Sequence, residues 1–536
     1  MTKFKLDDEL FKHIFPLKEP RDGQREIIEK IINAYETGKK YVILDAPCGI
    51  GKSVIGYSIA KYFNSSFILT SQKILQNQYY NDFKIPYVLG RNNYTCLKNN
   101  LFTCDLGVCM RNPAKYCKDS NGYVICPYIK ARETCLSNNH SNLNYSYFLS
   151  LLSFSNNFKS DRKLIICDEA HNLENELLKI ANVKLSDKIL NMLGLSIKIP
   201  DISDSDGNKC SWLINEFTEQ LRSQYLYMKT QIKKLNSMKM TREYKKIARK
   251  FSMIESLYSS TMMIKNQIET EEKGSLEQQV IVSQDSENIE FKPLFAKNIF
   301  ENSMDMPDLK FLFMSATILN FELFCKNLGI DIDQAAYIKC DSKFPVENRL
   351  IHYTPIGSMS YKNKNTTIPK LIKAIDKILK ENKDVKGIIH TINYDVAEKI
   401  IEGLRFSDQS ARLLMPKGID KQHLLNVFYA SSKPYVLISP SLTEGIDLKD
   451  DLSRLCIVCK VPYASLADKW TKTRMELDKN WYLTHACINL VQMTGRSVRS
   501  ENDFAKTYIL DKDFETLALN TQDIFPEWWK ESVTLN

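Results

Sequence analysis

No apolar run in the 536-residue sequence approaches the roughly 18 residues that a membrane-spanning helix needs, so a membrane protein is not expected. The opening residues, Met1-Thr-Lys-Phe-Lys-Leu-Asp-Asp8, lack the apolar stretch and small-residue cleavage site of a secretory signal, which points to an intracellular protein. Glycine (18) and proline (17) are sparse, and no repeat or low-complexity tract occurs. Those absences exclude collagen-like and intrinsically disordered chains. What remains is the composition of a soluble globular protein, 43% hydrophobic and 26% charged. At this length it has room for about three or four ordinary domains.

Charge and cysteine are both unevenly placed. The net charge is only +9, yet residues 221–250 hold ten Lys and Arg against one acid, Glu243, so that segment alone matches the whole excess. Concentrated positive charge suits a polyanion, although a solvated helix face has the same signature in isolation. Six of the 14 cysteines (Cys96, Cys104, Cys109, Cys117, Cys126 and Cys135) fall within 40 residues. In an intracellular protein such clustering favours a metal over disulfides. The six contain no C-x-x-C pair, which counts against a common zinc ribbon.

Short apolar strands at Tyr41–Ala46, Ser66–Thr70 and Lys163–Cys167 alternate with helical patterns, as in a parallel sheet covered on both faces. The cysteine-rich stretch interrupts that alternation. A second interruption runs from about 186 to 284. Phe217, Leu221, Tyr225, Met228, Ile232 and Leu235 recur at helical spacing there, and so do Tyr244, Ile247, Phe251, Ile254 and Leu257 after a break at Met238–Thr241. Two amphipathic helices in a hairpin are expected, with the basic cluster around the bend. Strands return at Val385–His390, Tyr435–Ser439, Leu455–Val461 and Tyr508–Leu510. The fold class is therefore α/β, with two parallel-sheet domains and two insertions in the first.

Three segments carry chemistry. Ala46-Pro-Cys-Gly-Ile-Gly-Lys-Ser53 is a strand–loop–helix phosphate cradle: Gly49 and Gly51 let backbone N–H groups approach phosphate, Lys52 supplies charge, and Ser53 offers a hydroxyl to Mg²⁺. Ala46 stands where the strict pattern has Gly. Asp168-Glu-Ala-His171 follows an apolar strand, which suits metal holding by Asp168 and water activation by Glu169. Gln492-Met-Thr-Gly-Arg-Ser-Val-Arg499 places two arginines on one helical face, where they can stabilise a transferred γ-phosphoryl group.

Together these segments resemble the superfamily-2 helicases, specifically the XPD/DinG-like iron–sulfur DNA helicases, and the resemblance covers nearly the whole chain. It includes Thr70, Leu75 and Gln78, Met314-Ser-Ala-Thr-Ile-Leu319, Ser342-Lys-Phe-Pro-Val-Glu-Asn-Arg349 and Glu444-Gly-Ile-Asp-Leu448. The resemblance implies two RecA-like domains with ATP between them. Lys52, Ser53, Asp168 and Glu169 would act on Mg-ATP from one side, and Gln492, Arg496 and Arg499 from the other. Ser315-Ala-Thr317 would couple hydrolysis to closure. Arg21 and Gln24 would help to hold the base, and Glu444, Gly445 and Asp447 would lie near the nucleic acid or the interdomain cleft. Residues Ala46, Pro47, Cys48, Gly49, Ile50 and Gly51 complete the nucleotide cradle.

The implied division assigns 1–92, 139–185 and 285–338 to the first RecA-like domain and 339–536 to the second. An iron–sulfur insertion occupies 93–138 and a helical Arch-like insertion 186–284. Cys96 and Cys126 match the first and last cluster ligands. The middle two come from Cys104, Cys109 and Cys117, of which Cys109 and Cys117 are the choice and Cys104 the substitute. Four thiolates suit a [4Fe–4S] cluster, with zinc the competing reading, and Cys135 is read as structural. The expectation is a monomeric ATP-dependent helicase on single-stranded and duplex-junction DNA, moving 5′→3′, in the cytoplasm and nucleoid-associated if prokaryotic or viral. The alternatives are an RNA-directed or nucleoprotein-remodelling translocase, or an ATP-switched scaffold. The scaffold reading leaves Glu169, Arg496 and Arg499 without a task.

Overall fold

The computed structural model describes residues 5–535 apart from 98–99, 101, 108–117, 155–160, 236–241, 270–279, 418–420, 441–447, 449, 496 and 499–502. The first domain is built on a six-stranded parallel sheet: β1 (Tyr41–Asp45), β2 (Ser66–Thr70), β3 (His140–Asn144), β4 (Leu164–Asp168), β8 (Lys310–Ser315) and β9 (Ala335–Lys339), in the order β3-β2-β4-β8-β1-β9. Between β4 and β8 the chain forms a separate antiparallel sheet from β5 (Val183–Leu185), β6 (Val280–Gln284) and β7 (Ile289–Pro293). The second domain holds seven parallel strands: β10 (Ile351–Gly357), β11 (Gly387–His390), β12 (Leu413–Leu414), β13 (Val436–Ser439), β14 (Leu455–Val458), β15 (Lys506–Asp511) and β16 (Val533–Leu535). Their order is β12-β13-β11-β14-β15-β10-β16.

Alternation along each strand divides the hydrophobic interior. Tyr41 and Ile43 pack into one core of the first domain, whereas Val42 and Leu44 pack into the core on the opposite face. Ile165 and Cys167 follow the first pair, Ile166 the second. Ile388 and Ile389 separate the two cores of the second domain in the same way. With side chains pointing alternately up and down, a strand buried on both faces must be apolar at nearly every position. That is why these strands stand out in the sequence as unbroken apolar runs.

β3 breaks the pattern and escapes a hydrophobicity reading. Its sequence is His-Ser-Asn-Leu-Asn, yet Ser141, Asn142 and Leu143 are buried. Backbone pairing to β2 and the Asn142 amide, which reaches the Gln76 carbonyl, hold it at the sheet edge. The antiparallel β5–β7 sheet was likewise not anticipated. Its three short strands frame helices Thr218–Leu235 and Arg242–Glu269, which pack through Tyr225 against Phe251 and Tyr258. The expected helix pair is present, preceded by a π-helical turn at Trp212–Phe217. Most of the connecting break, at 236–241, lies outside the described residues, and nothing is described of the side chains of Lys233, Lys234, Lys239, Arg242 and Lys245. Lys246 and Arg249 are exposed. Among the described residues no helix is long and apolar enough to cross a membrane.

Candidate active site

The phosphate loop leaves the end of β1, where Ala46 N donates to Ser315 O of the neighbouring β8 (2.8 Å). Ala46 is fully buried and its methyl joins the core, which accounts for Ala in place of Gly. Gly49 and Gly51 have φ of 87° and 83°, a region that L side chains rarely adopt. Space enforces the same choice. A Cβ on Gly49 would lie 2.0 Å from the Phe344 ring, and one on Gly51 2.3 Å from Gln24 Nε2. The helix Lys52–Phe63 follows at once, so its free N–H groups face the loop.

Arg21 and Gln24 serve as braces for this loop. Arg21 NH1 donates to Gly49 O at 2.5 Å, and the buried Gln24 donates from Nε2 to Ile50 O at 2.9 Å. Lys52 Nζ donates to the carbonyl of Ala46 at 3.0 Å. Beside the loop a crevice of about 290 Å³ opens between Arg21, Asp22 and Cys48 on one side and Lys343, Phe344 and Pro345 on the other.

Asp168 ends β4 and is buried. Burial, and then the neighbouring Glu169 charge, push its carboxyl up to about 6 even though Lys52 opposes the shift. A desolvated acid beside a second acid lacks positive charge, and Mg²⁺ would supply it, so the donor set fits the ion that Ser53 and Asp168 were expected to hold. Tyr79 donates to Asp168 Oδ2 at 2.9 Å, and a hydrogen bond to Ser53 also acts on its hydroxyl. Tyr79 thus joins both expected Mg²⁺ ligands. Reading the sequence picked out its neighbour Gln78 and missed it, because a tyrosine on an amphipathic helix looks like ordinary core.

Glu169 has φ of 51°, a left-handed conformation that costs a non-glycine residue on the order of 1 kcal/mol. Its Oε2 lies 3.4 Å from His171 Nδ1, which is 2.8 Å from Ser315 Oγ. Ser315 Oγ accepts from Thr317 N at 3.0 Å, and Thr317 Oγ1 accepts from Gln492 Nε2 at 2.7 Å. A chain of polar contacts therefore runs from Glu169 in the first domain to Gln492 in the second. Asp45 fixes the next turn: its buried carboxylate accepts from Ile318 N, Leu319 N and the Tyr337 hydroxyl. Burial raises its pKa above the usual carboxylate value, against those hydrogen bonds. Arg496, Arg499, Glu444, Gly445 and Asp447 lie outside the described residues.

In the cysteine-rich region, Cys96 N donates to Phe102 O and Cys104 N to Tyr94 O, a small hairpin that brings both thiols into the first-domain core with Cys126. Cys104 Sγ and Cys126 Sγ are 3.9 Å apart. Burial, then Cys126 and Cys96, push the Cys104 thiol up to about 12. Cys135 faces away and donates to the carbonyl of Pro86 at 3.4 Å. Cys109 and Cys117 lie outside the described residues, and among the described residues no three ligating side chains converge on one point.

Comparison with known proteins places the two halves. A helicase C-terminal domain model matches residues 376–532, and the model for the res subunit of type III restriction enzymes matches residues 17–196. A probable ATP-dependent helicase of Methanocaldococcus jannaschii is 22% identical over 94% of this chain and 93% of its own length. The ATP-dependent DNA helicase YoaA of Escherichia coli is 21% identical over 95% and 93%. A solved XPD helicase shares the fold at a TM-score of 0.61, with 16% identity, over 97% of this chain and all of its own. The S. tokodaii Xpd4 structure does so at 0.59, with 15% identity, over 96% of this chain and all of its own. With two helicase-type halves and an XPD-like fold, the chain is an ATP-hydrolysing helicase similar to the XPD/DinG-like superfamily-2 helicases.

Proposed function

We propose that the chain is an ATP-dependent DNA helicase that moves 5′→3′ along single-stranded DNA as a monomer and parts the duplex beside its cysteine-rich region. The observation that carries this reading is the polar chain from Glu169 through His171, Ser315 and Thr317 to Gln492, since it gives hydrolysis a route to the second domain. Relatives named as DNA helicases support DNA over RNA, and the basic segment 221–250 supplies charge for a phosphate backbone. Duplexes with 5′ tails, 3′ tails and RNA strands, compared at one salt concentration, test it. Only the 5′-tailed DNA should be unwound with ATP; unwinding of the 3′-tailed or RNA substrate instead would replace the proposed polarity or substrate.

The Cys104–Cys126 pair, 3.9 Å apart, fits one edge of a thiolate-bound metal centre, although no third described ligand converges on it. We assign Cys96, Cys104 and Cys126 to a [4Fe–4S] cluster, with a fourth thiolate from Cys109 or Cys117. The support is the burial of three thiols in one core beside a helix that starts at Cys126. Cys104 thereby takes one of the middle positions first given to Cys109 and Cys117. The 3.9 Å Sγ–Sγ distance is close to the edge of about 3.8 Å expected when two thiolates share one zinc ion, so zinc is the reading to test against.

In the nucleotide crevice, Phe344 is the aromatic wall opposite Arg21. Base–aromatic stacking is worth about 1–3 kcal/mol. Phe344→Ala is expected to raise KM for ATP about tenfold and leave kcat within about twofold, in steady-state ATPase assays.

A further inference from the structure

The second domain meets the first at a place the nucleotide chemistry does not use. Two of its helices, Lys469–Leu477 and Lys479–Thr494, rest there. Trp470 and Trp481 are buried in the core of the first domain, and the Trp470 indole donates to Pro293 O at 2.8 Å. Arg474 lies over the Trp481 and Phe295 rings; it is 1% exposed and the largest fully buried side chain among the described residues. Its NH2 group donates to Asn327 Oδ1 at 2.6 Å and to Glu174 Oε1 at 3.1 Å. Asn327 Nδ2 closes the triangle on Glu174 Oε2 at 3.0 Å. Trp481 Nε1 and His485 Nε2 approach the same oxygen at 3.4 and 3.6 Å. Burial alone would raise the Glu174 carboxyl, but His485 first, then Arg474 and Trp481, hold it below its usual value.

The residues so tied are not arbitrary. Glu174 sits in the first turn of the helix that follows Asp168–His171, and Asn327 in the last turn of the helix that follows Ser315–Thr317. Arg474 therefore links, from the second domain, the two helices that continue from the hydrolysis and coupling motifs. The helix Lys479–Thr494 touches the first domain at both ends: Trp481 and His485 at Glu174, and Gln492 at Thr317. From His485 to Gln492 it rises about 10 Å as a rigid rod. Its N-cap, Asp478, also pairs with Lys326 of the first domain at 2.6 Å. Stripping a partner from a buried ion pair is strongly destabilising, so a contact of this kind holds its partners in one geometry.

We propose that Arg474, Glu174 and Asn327 are positioning residues for ATP hydrolysis: they seat the base of the Lys479–Thr494 helix on the first domain and thereby set where Gln492, and the chain that continues to Arg496 and Arg499, meets the nucleotide. This rests on the reading that the two arginines act on ATP from the second domain. The test is a double-mutant cycle in the full-length protein between Arg474→Met and Arg496→Ala, read as DNA-stimulated kcat and as KM for ATP. Arg474→Met should lower kcat about 10- to 100-fold with KM for ATP within about twofold, because the phosphate loop still binds nucleotide. Arg474→Lys, which keeps the charge but not the fork of donors, should recover part of the loss. The double variant should lose clearly less than the product of the two single losses, since the changes remove a shared contribution. Fully additive losses, or a KM that rises as far as kcat falls, would overturn the proposal and leave Arg474 a folding residue. Should Arg474→Met not fold, the same cycle with Glu174→Gln decides by the same two readouts. An unaffected Arg496→Ala would instead sink the underlying reading of the arginines.

Discussion

Glu169→Gln is expected to cut ATP turnover on the order of 10²-fold or more while nucleotide and DNA still bind. The substitution keeps the shape of the side chain and removes the carboxylate proposed to orient and deprotonate water. Glu169 is held at a left-handed backbone angle beside the Asp168 carboxyl, and its Oε2 makes no hydrogen bond to another described residue beyond its 3.4 Å approach to His171. That leaves an acceptor free to take a proton from water. A 10²-fold loss corresponds to about 2.7 kcal/mol of transition-state stabilisation, within reach of one general base. Nucleotide binding is proposed to rest on other groups: the loop between β1 and its helix, which Arg21 and Gln24 brace. Equilibrium binding of a fluorescent ATP analogue, set beside single-turnover hydrolysis, checks both halves. Near-normal hydrolysis would remove Glu169 from its role.

Loss of the proposed metal centre should have the next largest effect. Protein prepared without oxygen should be yellow-brown and carry about four irons per chain. Cys126→Ser, and equally Cys104→Ser, should bleach it and abolish strand separation, whereas Cys135→Ser should keep the colour. The contrast between Cys104 and Cys126 on one hand and Cys135 on the other comes from where these buried thiols point. Cys104 and Cys126 face each other at 3.9 Å, while Cys135 donates to the backbone of the neighbouring segment. ATP hydrolysis should suffer less than unwinding in the bleached variants, because no described cysteine of this region lines the crevice formed by Arg21, Cys48 and Phe344. Colourless protein with stoichiometric zinc would decide for a single-ion site, and retained colour in Cys104→Ser would return the middle positions to Cys109 and Cys117.

The interdomain segment Ser342–Arg349 shows how a motif visible in sequence acquires its meaning in three dimensions. Its residues were recognisable as a family-specific string, but nothing in the string says what they touch. In the structure Phe344 lies against Gly49 of the phosphate loop. Arg349 binds the Phe344 carbonyl at 3.1 Å and, on its other side, Trp528 O, Ser532 Oγ and Glu531 near the end of the chain. One short segment thus bridges the nucleotide loop and the second domain.

What the sequence determined by itself is the chemistry and the sheet class. Unbroken apolar strands demand burial on both faces, and a glycine-containing loop between strand and helix suits an anion. Asp168 and Glu169 at a strand end could be read with them because those signals are local, set within a few residues by backbone geometry and side-chain type. Tertiary structure alone decided the rest: Tyr79 on Asp168, 89 residues away; Gln492 on Thr317, 175 away; and Arg474 on Glu174, 300 away. The polar strand His140–Asn144 belongs with these, since its place is dictated by pairing to β2 and not by its own hydrophobicity. Each of these residues is unremarkable in its local window. A tyrosine, an arginine or an asparagine on a helix has many satisfactory partners, and only the packing of distant elements against one another selects which partner it buries.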